Sequence, residues 1–268
     1  MKVQVRYLNP AGNITAVVLS SVLPELRPAL SRAIMAQGRA EQVGFAATPR
    51  LGGDCRVEMM GGEFCGNAVR SYGYLRADDT ENNRLAVEIS GATAPVPVTV
   101  NSAQQSAFAD MPLPLGVDWI SVRGTKYPLV QCQGIGHLLA LNQPPEPAFL
   151  EEARPILNQL EQEAWGIMFL DGQQLTPAVY VKSTESLVWE SSCGSGSVAA
   201  AWYLAGQDES RQAFHFQEPG GEINVAVRRE DGRVTGCAMG GPVTVGPVEE
   251  FVEPTTLRGH HDFESCPL

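Results

Sequence analysis

Hydrophobic and polar residues alternate along much of the chain, and this period of two predicts β-strands. Strand-like runs occupy residues 1–7, 14–19, 96–100 and 223–227, and turn residues such as the Asn-Pro-Ala-Gly-Asn of 9–13 separate them. Most of the fold is therefore expected to be sheet.

Apolar residues recur at helical spacing in fewer places. The pattern predicts helices over residues 25–35 and 151–165, the first with Leu26, Leu30 and Ile34 on one face. Two further helical segments follow Cys65 and Cys193 and are treated together below.

The segment that begins at Cys65 resembles the one that begins at Cys193. Each opens with Cys-Gly, follows a short acidic turn, carries an apolar helical stripe and precedes strand-like alternation. The cysteines lie 128 positions apart (193 − 65) in a chain of 268 residues. Such a long period indicates a duplicated domain rather than an array of short repeats.

The duplication predicts an α+β fold of two pseudo-symmetric domains, each with strands wrapped around its Cys-led helix. The Pro-rich residues 111–115 mark the boundary, giving an N-terminal half over 1–113 and a C-terminal half over 114–246. Residues 247–268 are free in this scheme to pack back on the first half. A cleft between the halves would hold the active site.

The net charge of −11 argues against nucleic acid or an anionic membrane as a partner. No signal peptide is evident, and no apolar run approaches the roughly 20 residues of a membrane span. The chain is therefore expected to be cytoplasmic and to bind a small molecule. A homodimer is compatible with the sequence, which does not require it.

The six cysteines form no CxxC pair and no zinc-ligand spacing with histidine. We therefore expect no metal site, and we interpret Cys55, Cys132 and Cys237 as buried or idle thiols. The pair His260-His261 with Cys266 is terminal, and we expect it to fray rather than to bind metal.

Cys65 and Cys193 are different because both start a helix. A cysteine at a helix N-terminus lies beside unpaired N–H groups and the positive end of the helix dipole, which lower its pKa. The same N–H groups can bind a carboxylate. Two such thiols facing one α-carbon can invert it, since one removes the proton and the other delivers a proton to the opposite face. This chemistry needs no cofactor, and we expect none.

Two motifs carry a resemblance to a known family: residues 62–70, GEFCGNAVR, and residues 192–197, SCGSGS. Weaker matches are Gly12-Asn13, the Glu-Gln-Val of 41–43, His137 and Gly241-Pro242. The chain resembles the diaminopimelate epimerases, whose superfamily includes proline racemases and phenazine-biosynthesis isomerases. The resemblance spans nearly the whole chain and implies two barrel-like sheets, each around a central helix. It also implies a cofactor-independent amino-acid racemase or epimerase.

The departures from that family concern the distal end of the substrate. Where the epimerases use Asn, Asn and Arg to bind a second amino-acid head, our alignment places Ile135, Ala164 and Glu185. Losing the arginine removes the natural partner of a distal carboxylate. A neutral or cationic side chain is favoured instead, with Ile135 and Trp165 on an apolar side and Glu185 or Glu190 nearby.

Histidine is the best single substrate, because the resemblance extends to histidine racemases. Basic or aromatic amino acids, diaminopimelate, a proline derivative and a non-catalytic binding protein are the alternatives. The resemblance implies Cys65 and Cys193 as catalytic residues, and His137 is interpreted as a core histidine. The residues expected to bind substrate are Asn13, Gln42, Gly66, Asn67, Glu185, Gly194 and Ser195.

Overall fold

The computed structural model describes residues 1–80, 83–183 and 185–253. Within them lie four α-helices: α1 Arg27–Met35, α2 Gly66–Thr80, α3 Pro147–Leu157 and α4 Gly194–Gln207. The strands of the first half are β1 Lys2–Asn9, β2 Thr15–Val18, β3 Gln42–Ala47, β4 Cys55–Met59, β5 Arg84–Ile89, β6 Val96–Asn101 and β7 Ser106–Met111. Those of the second half are β8 Gly116–Val122, β9 Thr125–Cys132, β10 Ile135–Leu141, β11 Ala164–Asp171, β12 Gln174–Val181, β13 Ser186–Trp189, β14 Ala213–Glu218, β15 Gly221–Glu230 and β16 Arg233–Pro242. Two short strands follow, β17 Thr244–Val245 and β18 Glu249–Val252.

The two halves repeat one order of strand pairing. From β1 to β7, successive pairs are antiparallel, parallel, antiparallel, parallel, antiparallel and antiparallel. The same sequence of pairings runs through β9, β10, β11, β12, β14, β15 and β16. In each half a crossover helix connects the two strands of each parallel pair, so α1 corresponds to α3 and α2 to α4. The internal echo around the two cysteines is thus a repeat of structure.

The halves share one continuous sheet. Strand β16 lies antiparallel to β15 on one side and to β7 on the other. Beyond it, β17 and β18 both lie antiparallel to β1, on the edge that β2 does not use. The chain therefore crosses between the halves twice, and these two crossings hold the halves in one relative orientation.

Each central helix is surrounded by the sheet of its own half. Ala68, Val69, Tyr72 and Leu75 of α2 are buried in a cluster with strands of the first half. The small residues 198–201 of α4 are buried in the corresponding cluster of the second half. The helices α1 and α3 belong to separate outer clusters. The helices α2 and α4 run through the cores of their own halves. Their N-termini can therefore lie close together where the two halves touch.

The sequence-based elements are confirmed except for one helix. The four strand-like runs lie in β1, β2, β6 and β15, and a 3-10 turn at Pro24–Leu26 leads into α1. The helix predicted over 151–165 is wrong at both ends, since α3 is Pro147–Leu157. Its buried face is formed by Phe149, Leu150, Ala153 and Leu157. Trp165 belongs to strand β11.

None of the helices in the described residues is long and apolar enough to cross a bilayer. No group of three or more His, Cys, Asp or Glu side chains that could hold a metal occurs in the described part of the chain. His260, His261 and Cys266 lie outside the described residues.

Gly12 allows the first half to approach the second closely. Its φ is +87°, and a Cβ placed on it would lie 2.4 Å from the Cα of Gly220. We predict that Gly12→Ala lowers the free energy of unfolding by about 2–4 kcal/mol, combining backbone strain with overpacking. Gly38→Ala is the matched control, because Gly38 has φ +68° and a Cβ placed on it would have no neighbouring atom within 4 Å. Urea denaturation should show the larger loss for Gly12→Ala; equal losses would mean that the contact contributes nothing.

Candidate active site

Both predicted catalytic cysteines line one cavity of about 200 Å³ between the N-termini of α2 and α4. The lining residues are Asn13, Gln42, Glu63, Phe64, Cys65, Gly66, Asn67, Met111, Glu190, Ser192, Cys193, Gly194 and Ser195. Ligand pockets for drug-sized molecules hold about 300–1,000 Å³. The volume therefore suits a single amino acid.

The two cysteines occupy equivalent positions at the helix starts. The Cys65 carbonyl accepts the Val69 N–H at 3.0 Å, and the Cys193 carbonyl accepts the Ser197 N–H at 2.9 Å. Each cysteine therefore precedes its helix as the N-cap residue. The first N–H groups of both helices belong to residues that line the cavity, where they can bind an anion.

Glycine after each cysteine lets the helix starts meet over Met239. A Cβ on Gly66 would lie 3.0 Å from Met239 Cε, and one on Gly194 would lie 2.6 Å from Met239 Sδ. Either Cβ would require the end of the Met239 side chain to shift, and a Cβ on Gly66 would also lie 2.6 Å from Met111 Sδ. The Cys-Gly pair in each half thus has a steric reason.

The Cys65 sulfur accepts hydrogen bonds from polar donors. Gln42 Nε2 lies 3.3 Å from Cys65 Sγ, and the Ala68 N–H lies 3.4 Å from it. Gln42 is itself held by Asn13 Oδ1 at 2.6 Å and by Thr15 Oγ1 at 2.8 Å. Donors aimed at the sulfur favour its ionised form.

The Cys193 sulfur lies among groups of a different kind. Ser195 Oγ is 3.7 Å from Cys193 Sγ and 2.9 Å from His137 Nε2. Burial lowers the pKa of His137 to about 4, so its imidazole is neutral at pH 7. His137 is therefore a buried histidine that positions Ser195, in agreement with its interpretation as a core residue.

Carboxyl groups surround Cys193 as well. Glu190 lines the cavity, and burial raises its pKa to about 7. Glu218 lies beneath the start of α4 and accepts the Cys193 N–H at 2.7 Å. Negative charge on either side chain would oppose ionisation of the Cys193 thiol.

From the sequence we expect the helix starts to lower both thiol pKa values. The structure corrects this expectation, because burial raises both values. Burial raises the pKa of Cys65, although N–H groups of α2 and Gln42 lower it in part. The pKa of Cys193 is raised well above its usual value by burial, with Glu190 and Glu218 adding to the rise. Desolvation of a thiolate therefore outweighs the helix N–H groups at both sites.

Nine residues are expected at the site, and eight of them line the cavity. They are Asn13, Gln42, Cys65, Gly66, Asn67, Cys193, Gly194 and Ser195. Glu185 does not line it. It is exposed in the turn between β12 and β13, with φ +49°. The four residues of β13 separate it from Glu190, so Glu185 lies outside the cavity and Glu190 lines it instead.

The apolar side of the pocket also differs from expectation. Trp165 is fully buried, stacks on Tyr180 and donates its indole N–H to Asn158 at 2.8 Å, away from the cavity. Ile135 packs against the core of the second half. Phe64 and Met111 are the apolar residues that line the cavity.

Sequence reasoning missed Met111 and Ser192 as lining residues, and their types carry no chemical signal. It also missed Arg70, which is fully buried in α2 and ties the helix start to the second half. Arg70 donates to Asn67 Oδ1 and to the carbonyls of Gly241 and Pro242, each at 3.2 Å. An arginine on the buried face of a helix was the available signal.

The charges of the cavity are unfavourable for one kind of substrate. Glu63 and Glu190 line it, and none of its described lining residues is a lysine or arginine. A substrate with a second, distal carboxylate would find no cationic partner and two like charges. The single-head substrate inferred from the sequence fits this electrostatic environment.

Solved structures described as racemases, epimerases or isomerases have this fold. A protein described as a "probable proline racemase" from Agrobacterium radiobacter K84 superposes with a TM-score of 0.67 at 12% identity, covering 93% of each chain. A phenazine-biosynthesis PhzF family protein from Enterococcus faecalis superposes with a TM-score of 0.64, covering 94% of this chain and all of that one. The chain is an isomerase, and its class is that of the amino-acid racemases.

The family described as "Histidine racemase CntK N-terminal domain" matches residues 2–248, and this chain belongs to it. A histidine racemase from Fusobacterium nucleatum is 35% identical over 214 residues, which cover 74% of this chain and 79% of that protein. One from Staphylococcus aureus is 26% identical over 242 residues, covering 82% and 87%. A closer kinship with the diaminopimelate epimerases themselves stays a prediction.

Proposed function

We propose that this protein racemises histidine without a cofactor, using Cys65 and Cys193 as the two bases. One observation carries the proposal: two thiols at equivalent helix starts line the same small cavity. Inversion of an α-carbon requires a base and an acid on opposite faces. The pseudo-symmetry of the halves supplies two chemically identical groups for these roles.

The surroundings of the two sulfurs assign the order in which the thiols ionise. Burial raises the pKa of both thiols, but hydrogen bonds from Gln42 and Ala68 lower that of Cys65 in part, whereas Glu190 and Glu218 add to the rise at Cys193, so Cys65 ionises first. The Cys65 thiolate takes the α-proton from one face, and the Cys193 thiol gives its proton to the other. Afterwards Cys65 is a thiol and Cys193 a thiolate, and the opposite enantiomer reacts from that state.

The helix starts bind the α-carboxylate in this mechanism. The N–H groups of Gly66, Asn67, Gly194 and Ser195 flank the cavity. Developing negative charge on the carboxylate during α-proton removal is stabilised by these preorganised donors. Asn13 and Gln42 complete the polar wall beside Cys65.

The Glu190 carboxyl in the cavity favours histidine. Glu190 offers a carboxyl whose pKa of about 7 is close to that of imidazole, about 6.5. The two groups can share one proton across neutral pH. The names of the curated relatives, histidine racemases from two bacteria, support the same substrate.

The test is α-proton exchange in D₂O, followed by NMR on reduced protein with a panel of L-amino acids. We expect loss of the α-proton signal and appearance of D-histidine with histidine alone. The panel includes diaminopimelate, lysine, ornithine, arginine, phenylalanine and proline. Exchange with another member instead would overturn histidine as the substrate but retain the chemistry. Exchange with none would overturn the racemase and favour a binding protein.

A further inference from the structure

Glu218 lies buried at the end of β14, directly beneath the first turn of α4, and is 3% exposed. Its Oε2 accepts the Cys193 N–H at 2.7 Å, and its Oε1 is hydrogen-bonded to Ser197 Oγ. Ser197 Oγ also lies 2.9 Å from the Cys193 carbonyl oxygen. The carboxyl is therefore linked at two points to the residue that carries the sulfur.

The number of hydrogens in this group argues for a protonated carboxyl. A serine hydroxyl has one hydrogen, yet Ser197 Oγ contacts two acceptors, the Cys193 carbonyl and Glu218. If Glu218 is a carboxylic acid, it donates to Ser197, which donates to the Cys193 carbonyl. The Cys193 N–H then donates to the other oxygen of Glu218, and each contact has its own hydrogen.

The charges around Glu218 support the neutral form. Burial, with a smaller contribution from nearby Glu190, raises its pKa to about 8 although Ser197, the Cys193 N–H and Arg70 lower it in part. Arg70 is the cation that faces it from the first half, and Cys193 is the other titratable group on α4 in contact with it. Burial prevails, so the acid is mostly protonated at pH 7.

Among the described residues of the first half, none is an acid at the corresponding place. Strand β5 corresponds to β14 and ends at Ile89, and the Ser90 hydroxyl that follows donates to the Glu63 carbonyl at 2.9 Å. In the described part of the chain, a carboxyl beneath the helix start thus occurs on the Cys193 side only. A packing role shared by both helix starts does not explain a carboxyl that lies beneath one of them.

We propose that Glu218 is a positioning residue for Cys193, held as a neutral carboxylic acid that fixes the start of α4 and, by staying uncharged, permits the Cys193 thiolate to form. The inference rests on the proposed role of Cys193 as one of the two bases. When Glu218 ionises at alkaline pH, its negative charge opposes the Cys193 thiolate, and the second half of the racemisation cycle slows.

The experiment compares Glu218→Gln, Glu218→Leu and the exposed control Glu222→Gln with the wild type. The amide of Gln is neutral and can reproduce both contacts, donating to Ser197 and accepting the Cys193 N–H. Two readouts are taken from pH 6 to pH 10: histidine racemisation, and the iodoacetamide alkylation rates of Cys65 and Cys193 resolved by peptide mass spectrometry. The alkylation readout does not depend on racemase activity.

We expect Glu218→Gln to racemise within about threefold of wild type at pH 7 and to retain more of its rate at pH 9. At pH 9 its Cys193 should alkylate about tenfold faster than in wild type, as a one-unit fall in thiol pKa predicts, with Cys65 unchanged. Glu218→Leu, which leaves the Cys193 N–H unpaired, should racemise about tenfold slower or worse. Glu222→Gln should match wild type in both readouts.

A tenfold loss for folded Glu218→Gln at pH 7 would overturn the proposal, because it would mean that the negative charge is needed. Equal Cys193 alkylation in wild type and Glu218→Gln at pH 9 would overturn it too. If Glu218→Leu does not fold, the glutamine variant decides alone. Should no protein racemise histidine while Cys193 alkylation responds as expected, the proposed function fails and the role of Glu218 stands.

Discussion

Cys65→Ser and Cys193→Ser are each expected to abolish racemisation, with losses of about 10²–10⁴-fold, the usual contribution of a positioned acid or base. A serine hydroxyl does not ionise in the range where a thiol does, so it can neither remove nor accept the α-proton efficiently. Chiral chromatography from L-histidine and from D-histidine measures the loss in both directions. Cys132→Ser is the control, because Cys132 is a free thiol that does not line the cavity.

The same two variants separate the roles of the thiols. Each retains one sulfur, which can still exchange the α-proton of the enantiomer that faces it without inverting the carbon. In D₂O, Cys193→Ser should therefore exchange one enantiomer of histidine and Cys65→Ser the other. A single variant that racemises at the wild-type rate would show that one base suffices and that the two-base mechanism is wrong.

The duplication was accessible from sequence because it leaves a local signature. A Cys-Gly pair before a helical stripe recurs, and the helix start needs the small residue for the contact with Met239. The shared sheet was not accessible, since the pairing of β16 with β7 joins residues more than a hundred positions apart. Local periodicity cannot report such a pairing. The C-terminal end of α3 was missed for a related reason: the predicted helix ran to residue 165, into the apolar run 164–170, which belongs to a strand buried on both faces.

The carboxyl groups show where site prediction from sequence ends. Glu185 was chosen as a substrate-binding residue from an ungapped alignment with the family. In the structure it lies in a turn outside the cavity. The internal repeat was a better guide to the carboxyl groups of the cavity than the family alignment. Glu63 and Glu190 both lie in the acidic turns just before the cysteines, and both line the cavity. Glu218 had a signal as well. It continues the buried face of β14 after Phe214 and Phe216, a position where an acid needs partners.

The thiol pKa values could not be predicted from sequence, because two opposing effects act on each sulfur. The helix start was visible and lowers the pKa, whereas the depth of burial depends on how the two halves close over the site. In the structure, burial prevails at both cysteines. The asymmetry between them comes from side chains distant in sequence, with Gln42 beside Cys65 and Glu218 beneath Cys193.

Glu190→Gln is expected to lower kcat/KM for histidine by about 10–100-fold, the cost of losing a hydrogen bond to a charged group. Burial raises the pKa of Glu190 to about 7, so below that pH the free enzyme holds a neutral acid and above it a carboxylate. If the carboxylate binds the imidazolium of the substrate, the Glu190 contribution is largest between about pH 6.5 and 7, because Glu190 gains a proton below about 7 and the substrate imidazole loses one above about 6.5. The variant should lack that maximum in the kcat/KM profile.

Glu185→Gln is the matched control for this prediction, because it removes the same charge from the exposed turn at the other end of β13. It should racemise histidine within about twofold of wild type, as surface substitutions usually have little effect. A large loss in Glu185→Gln with none in Glu190→Gln would restore the assignment made from the sequence. It would also mean that the β12–β13 hairpin folds over the substrate, which would bring its turn to the cavity and move Glu190 away.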